Sequence, residues 1–206
     1  MEALKRGVLA RFGLSEEALK RELQFHAIML WSDAVNLELN MQLFSDLLVS
    51  KDGRLGQSQR GPGDKQFVKF LLSNPDLIYA DKHPVPRHGQ GILIHCLKEL
   101  MREVYGIADL EYTMYGKPER LTFDYAESLL VAKAQRVEIS KFYMIGDNPE
   151  GDIEGANRKG WTSILVRTGL FTGPGNDTNH PASHVVEDME EAVRLICRLE
   201  SLKLDI

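Results

Sequence analysis

Apolar positions along this chain switch between two spacings, and the switches predict its elements. HAIML (26–30) is a short apolar run that predicts a buried strand. Leu37, Met41, Phe44 and Leu48 then fall at spacings of four, three and four, which is one face of a helix. FVKFLL (67–72) is strand-like and stops at Asn74-Pro75-Asp76, a turn signal. LIYA (77–80) is a further short run, and Leu93, Leu97, Leu100 and Val104 mark a second helix. LEYTMY (110–115) alternates like a strand and stops at Gly116-Lys117-Pro118. Leu121, Tyr125, Leu129 and Ala132 predict a third helix, FYMI (142–145) a strand, and residues 152–159 a short helix. TSILV (162–166), rich in β-branched residues, and HVV (184–186) complete the strands. Asp188 followed by Glu191 resembles a helix-start box, and Met189, Val193 and Ile196 continue that helix. Strand and helix alternate throughout, which predicts an α/β protein with a mainly parallel sheet. Two Gly/Pro-rich stretches, 56–65 and 173–183, read as exposed loops.

Composition narrows the function classes. The 206 residues make one large domain or two small ones, and 43% hydrophobic with 27% charged residues is ordinary for a soluble globular protein. A net charge of −5 argues against a general nucleic-acid partner. No window reaches the roughly 18 apolar residues that a membrane span needs. The opening residues carry Lys5, Arg6 and Arg11 on a helix-like pattern, but Glu16, Glu17 and Glu22 follow, so an ordinary surface helix is expected rather than a transit peptide. Cys96 and Cys197 sit in apolar helical patterns with no CxxC and no Cys/His cluster. Neither a disulfide framework nor a zinc site is indicated, and a reducing intracellular compartment fits.

The candidate chemistry lies in FYMIGDNPEGD (142–152). FYMI runs directly into Gly146-Asp147, so Asp147 is expected at the carboxyl end of a strand, where α/β sheets place ligands. Gly146 is expected to let the backbone turn off the strand. Asp152 is expected near the start of the next helix, where free N–H groups and the dipole favour an anion. Two carboxylates meeting there make a hard oxygen site suited to magnesium. Taken alone, the same residues also read as a turn aspartate and a helix cap. Lys117, in Gly116-Lys117-Pro118, is expected at the start of the preceding helix, with Pro118 in its first turn, within reach of a phosphate or a carboxylate.

Gly116-Lys117-Pro118 together with GDNPEGDIEGANRKGWTSILV (146–166) resembles the third and fourth motifs of the haloacid dehalogenase (HAD) superfamily, and more closely its subfamily IIA, whose members carry a large α/β cap. LLSNPDLIYADKHPVPRHGQG (71–91) and AIMLWSDAVNLELNMQLFSDLLVS (27–50) resemble segments of that cap, and SHVVEDMEEAVRLI (183–196) the closing strand and helix. The resemblance implies the C-terminal part of a HAD-like Rossmannoid core with a C2-type cap, the cap over residues 1–112 and the core over 113–206. It implies a Mg2+-dependent phosphatase-type hydrolase acting on a small phosphorylated metabolite through an aspartyl-phosphate. Lys117 would stabilise nucleophile and phosphate, Asp147 would bind magnesium, and Asp152 would support that site. Asn74 and Asp76 in the cap, and Asn148, would face the substrate, although Asn-Pro-Asp is also good turn chemistry. Cytoplasm or mitochondrion is the implied compartment.

The family's first motif is an apolar strand ending in DxDG, and this sequence contains no DxD. Asp33, with Val35 two positions later, and Asp81, with His83, are the near-misses, and both align with the cap. The chain is therefore expected to be catalytically incomplete by itself. FYMI should lose a sheet neighbour and present an edge, and metal affinity from Asp147 and Asp152 alone should be weak. A non-catalytic binding or scaffold protein of the same descent is the alternative. A split enzyme completed by another chain, and a homo-oligomer formed through the cap or the sheet edge, are also compatible. A dinucleotide-binding domain is disfavoured, because no G-x-G-x-x-G opens a βα unit.

Overall fold

The computed structural model describes residues 15, 23–56, 59–135 and 137–203. The basic opening pattern around Lys5, Arg6 and Arg11 lies outside the described residues. The chain divides into two compact units, one comprising Met1–Leu77 with His88–Met114, the other Ile78–Arg87 with Tyr115–Ile206.

In the first unit, β1 (Ala27–Leu30) pairs in parallel with β2 (Lys69–Leu72), and β2 with β5 (Thr113–Met114). Ile28 stands opposite Phe70 and Leu30 opposite Leu72, and all four are buried. Met29, one position off, is exposed, as a period of two requires. Helix α1 (Leu37–Leu48) starts at Asn36, whose side chain accepts from the Leu39 N–H. Its Leu47 and Leu48 are buried, whereas Leu37 in the first turn is exposed. Helix α2 (Gly91–Tyr105) buries Leu93, Ile94, Leu97 and Met101, and Gly106 ends it in the left-handed conformation at φ 66°. Sheet and helices close on one apolar cluster. The strand expected over 110–115 narrows to two residues. Gln66 is the physical reason: its side chain takes both the N–H and the carbonyl of Glu111, at 3.2 and 2.7 Å, before a ladder can form there. The run 77–80 contributes β3 (Ile78–Tyr79), which lies in the segment Ile78–Arg87 of the second unit and pairs with β4 (Arg87–His88) as a two-stranded ribbon.

In the second unit, β6 (Tyr143–Gly146), β7 (Thr162–Val166) and β8 (His184–Val186) form an all-parallel sheet in the order β6-β7-β8. Among the described residues β6 pairs with β7 alone, so it is an edge, as expected. Helix α3 (Arg120–Lys133) precedes β6, a π-helical turn (Pro149–Ile153) leads into α4 (Glu154–Lys159) between β6 and β7, and α5 (Met189–Leu199) follows β8. Alternate residues of β7 face opposite ways. Leu165 packs with Ile153, Ala182 and Phe171, while Ile164 and Val166 pack with Ala192, Leu195 and Ile196 of α5. Asp188 caps α5 by accepting from the Glu191 N–H at 2.9 Å. The inward face of α5 is Ala192, Leu195 and Ile196, whereas Met189 and Val193 are exposed, a shift of the helix face from the one expected.

Candidate active site

The site grows from the end of β6. Gly146 does not adopt a left-handed φ. Its value is space: a Cβ there would sit 2.2 Å from Asp152 Oδ2. Asp147 follows, half-buried. Its Oδ2 accepts from the Leu170 N–H at 2.7 Å, and its backbone carbonyl accepts from the Phe171 N–H at 3.0 Å. Asn148 then starts the π-helical turn. Its side-chain oxygen accepts from the N–H groups of Glu150 and Gly151, both at 3.1 Å.

Asp152 is 3% exposed and sits in that turn. Its N–H donates to the Asn148 carbonyl at 2.8 Å, and its Oδ2 accepts from the Asn148 N–H at 3.2 Å. The cap of this element is therefore Asn148 rather than Asp152, and the Asp152 carboxylate folds back onto the strand end. Lys117 Nζ pairs with Asp152 Oδ1. A carboxylate this deeply buried needs a cation beside it, and Lys117 brings one while its own side chain stays 43% exposed. Lys117 lies ahead of α3 rather than in it, because the helix begins at Arg120 with Glu119 as its cap, and Pro118 follows a cis peptide bond. Pro118 is thus not in the first helical turn.

The expected residues are distributed as follows. Lys117, Asn148 and Asp152 are in direct contact, and Asp147 is the neighbour of Asn148 on the same strand end. Asn74 and Asp76 belong to the first unit, where the Asn74 side-chain oxygen accepts from the Asp76 N–H at 2.8 Å, an Asx turn. Gln90, 4% exposed, fixes that turn by accepting from the Asn74 N–H and the Ser73 hydroxyl, at 3.0 and 3.2 Å. Asp33 and Asp81 are exposed. Asp81 Oδ1 accepts from the Lys82 N–H. Gly169 is a residue that sequence reasoning missed: a Cβ there would lie 1.9 Å from Asp147 Oδ2. The only sequence signal was a Thr-Gly pair just after β7. At the start of α4, a hydrogen bond from His180, then one from Arg158, hold the Glu154 carboxyl below its usual range.

A divalent cation fits this donor set in one mode. Among the described residues no group of three His, Cys, Asp or Glu side chains converges. Magnesium keeps several waters and asks for one or two carboxylates. Asp147 is accessible, with one oxygen taken by Leu170 and no protein donor to the other among the described residues. Asp152, already committed to Lys117 and Asn148, would support it from behind.

The HAD-hydrolase-like family model matches residues 114–192, the stretch that holds Lys117, Asp147 and Asp152. A cardiolipin synthase (CMP-forming)/mitochondrial hydrolase fusion protein of Schizosaccharomyces pombe is 42% identical, over 82% of this chain and 28% of its own length. The phospholysine phosphohistidine inorganic pyrophosphate phosphatase of Rattus norvegicus is 33% identical, over 63% of this chain and 46% of its own. The chain thus spans less than half the length of either relative. A 4-nitrophenylphosphatase from Thermotoga maritima shares the fold with a TM-score of 0.54 and 18% identity, over 92% of this chain and 60% of its own.

Proposed function

We propose, from the premise that this chain belongs to the haloacid dehalogenase superfamily and is of its class IIA type, that it carries the lysine and metal-binding acids of a Mg2+-dependent phosphatase for a small phosphorylated metabolite. The observation that carries this reading is the ion pair between Lys117 and the buried Asp152 at the end of β6, one turn from accessible Asp147. In this reading Asp147 binds the ion, Asp152 holds Lys117 in place, and the Lys117 ammonium faces phosphate and nucleophile. The bound ion would neutralise charge on the transferring phosphoryl group. Asn148, Asn74 and Asp76 would face the substrate, residues 1–112 would be the cap, and residues 113–206 the C-terminal part of the core. Cytoplasm or mitochondrion is the proposed compartment; the similarity to a mitochondrial hydrolase fusion protein favours the second.

The attacking aspartate is proposed to come from outside these 206 residues, since the sequence holds no DxD. It would form an aspartyl-phosphate while the leaving alcohol takes a proton from a second acid, and water would then release phosphate. The test is turnover of p-nitrophenyl phosphate, with and without Mg2+, by this chain and by a chain extended to include an upstream DxDG segment. Turnover is expected only in the extended protein, and Lys117→Met there should lower it by roughly 10²–10³-fold. Mg2+-dependent turnover by the 206 residues alone would sink the assignment of the nucleophile. An inactive extended protein would favour a binding or scaffold role instead.

A further inference from the structure

We propose that the loop after β7 is a clamp that sets the orientation of the Asp147 carboxylate, with Arg167 and Gly169 as its positioning residues. This rests on the reading of Asp147 as a magnesium ligand. Arg167 is the first residue past β7, and its N–H still donates to the Glu187 carbonyl at 3.1 Å, just past the end of β8. Its guanidinium turns the opposite way along the loop. Nε donates to the Gly173 carbonyl at 3.1 Å, Nη2 to the Gly175 carbonyl at 2.9 Å, and Nη1 pairs with Glu187 at 2.5 Å. One rigid fork thereby closes the base of the loop. The Phe171 ring anchors its middle against Ile153, Leu165 and Ala182.

Between these two anchors the loop presents its backbone to Asp147. Leu170 N–H holds Oδ2 at 2.7 Å and Phe171 N–H holds the carbonyl at 3.0 Å. The approach is open because residue 169 is glycine, since a Cβ would stand 1.9 Å from Oδ2. With Oδ2 held by a backbone donor, the rotation of the carboxylate is restricted and Oδ1 is the oxygen left for a ligand. A side chain at 169 would rotate the carboxylate, and a loosened loop base would let Leu170 drift from it.

The test is Mn2+ titration of the 206-residue chain, following free Mn2+ by electron paramagnetic resonance, beside 1H–15N spectra in which the Leu170 amide reports the contact. Asp147→Asn sets the baseline for Mn2+ bound elsewhere and should move the Leu170 amide upfield. Gly169→Ala is expected to weaken the Asp147-dependent binding by about tenfold or more. Arg167→Gln should weaken it several-fold, and Arg167→Lys should restore little, because charge without the fork cannot reach both carbonyls. If Gly169→Ala fails to fold, the Arg167 pair decides. Variants that bind Mn2+ like the parent, with Leu170 unmoved, would overturn the clamp and leave the phosphatase reading standing. With Mn2+ carried high enough to fill the weak site expected of these two carboxylates, a parent chain no better than Asp147→Asn would overturn the clamp, and the phosphatase reading would then stand or fall on turnover by the extended protein.

Discussion

In the first unit, β1, β2, α1 and α2 bury their apolar faces against one another in a single cluster reaching from Ile28 to Leu110. In the second unit, the same kind of three-stranded parallel sheet is backed by two small clusters, one on each side of β7. Helix α3 shows the contrast most clearly. Phe123 is its buried apolar residue and packs edge-on against Trp161 with ring centroids 5.5 Å apart. Leu121, Tyr125 and Leu129, four apart on another face, are 54%, 65% and 51% exposed. Beside them in sequence, β6 is an open edge among the described residues. The first unit gathers its buried residues into one cluster. The second spreads fewer apolar contacts around a polar site and, among the described residues, leaves the α3 stripe exposed beside the open β6 edge, the features that proteins ordinarily cover.

Core truncations test that contrast with the largest effects. Phe70 is 1% exposed at the centre of the first cluster and touches Phe44 edge-on at 5.7 Å. Phe70→Ala should cost about 3–5 kcal/mol. Leu165 is fully buried but in a much smaller cluster, and Leu165→Ala should fall toward the low end of the range for such changes, about 2–3 kcal/mol. Each unit holds one tryptophan, Trp31 and Trp161, so urea unfolding in Trp31→Phe and Trp161→Phe backgrounds reports them separately. A larger loss from Leu165→Ala than from Phe70→Ala would reverse the comparison.

The polar site supplies the next effect in size. Lys117→Met leaves the carboxylate of Asp152 buried with the Asn148 N–H but no cation. Removing one partner of a fully buried pair costs several kcal/mol, but Lys117 is 43% exposed and water screens part of the loss, so about 1–2 kcal/mol is expected. Replacing Asp152 by Asn in the same background should recover much of it, because the uncompensated charge is then gone. Equal stabilities of Lys117→Met and the double variant, measured by urea midpoint, would mean that Asp152 does not depend on its lysine.

How much of this was readable beforehand divides along physical lines. Helices α1 and α2 and strands β1 and β7 were legible because burial imposes a period on side chains, whereas α3 was read from Leu121, Tyr125 and Leu129, a periodic face that is exposed, and its buried residue is Phe123. Asp147 was legible because FYMI ends on it. The partnership of Lys117 with Asp152 spans 35 positions and has no local period, so only the pairing of two motifs hinted at it. Gly146 was read as a turn residue, yet what it provides is room for Asp152 Oδ2. Gly169 and Leu170 left almost no trace, since a backbone N–H donating to a carboxylate has no side-chain signature. Gln66 likewise shortened β5 through its amide, something that strand propensity cannot encode.

The smallest effect sharpens the comparison by its pH dependence. Lys159 in α4 pairs with Asp124 at 2.8 Å and Glu127 at 2.7 Å, both on α3, and ties the partly uncovered helix to α4. A hydrogen bond from Lys159 is the chief reason that both carboxyls sit below their usual range, and the Asp124 hydrogen bond, then that of Glu127, raises the ammonium of Lys159. For depressed carboxyls, the stabilisation is fully present above their unfolded values, about pH 4, and is lost as pH falls through the lower folded values. For the raised lysine, it is present below about pH 10 and lost as pH rises through the folded value. The second unit should therefore show a level plateau between, with a shallow fall on each side. These groups lie near the surface, so the shift in urea midpoint should be small. Trp161 is the natural probe, since its indole N–H donates to Glu127 at 3.3 Å. Lys159→Met should flatten the acid limb of the Trp161 transition while leaving that of Trp31 as it was. An unchanged acid slope would mean that this ion-paired seam does not hold α3, which would then rest, among the contacts described, on Phe123 against Trp161 and on the Trp161–Glu127 hydrogen bond.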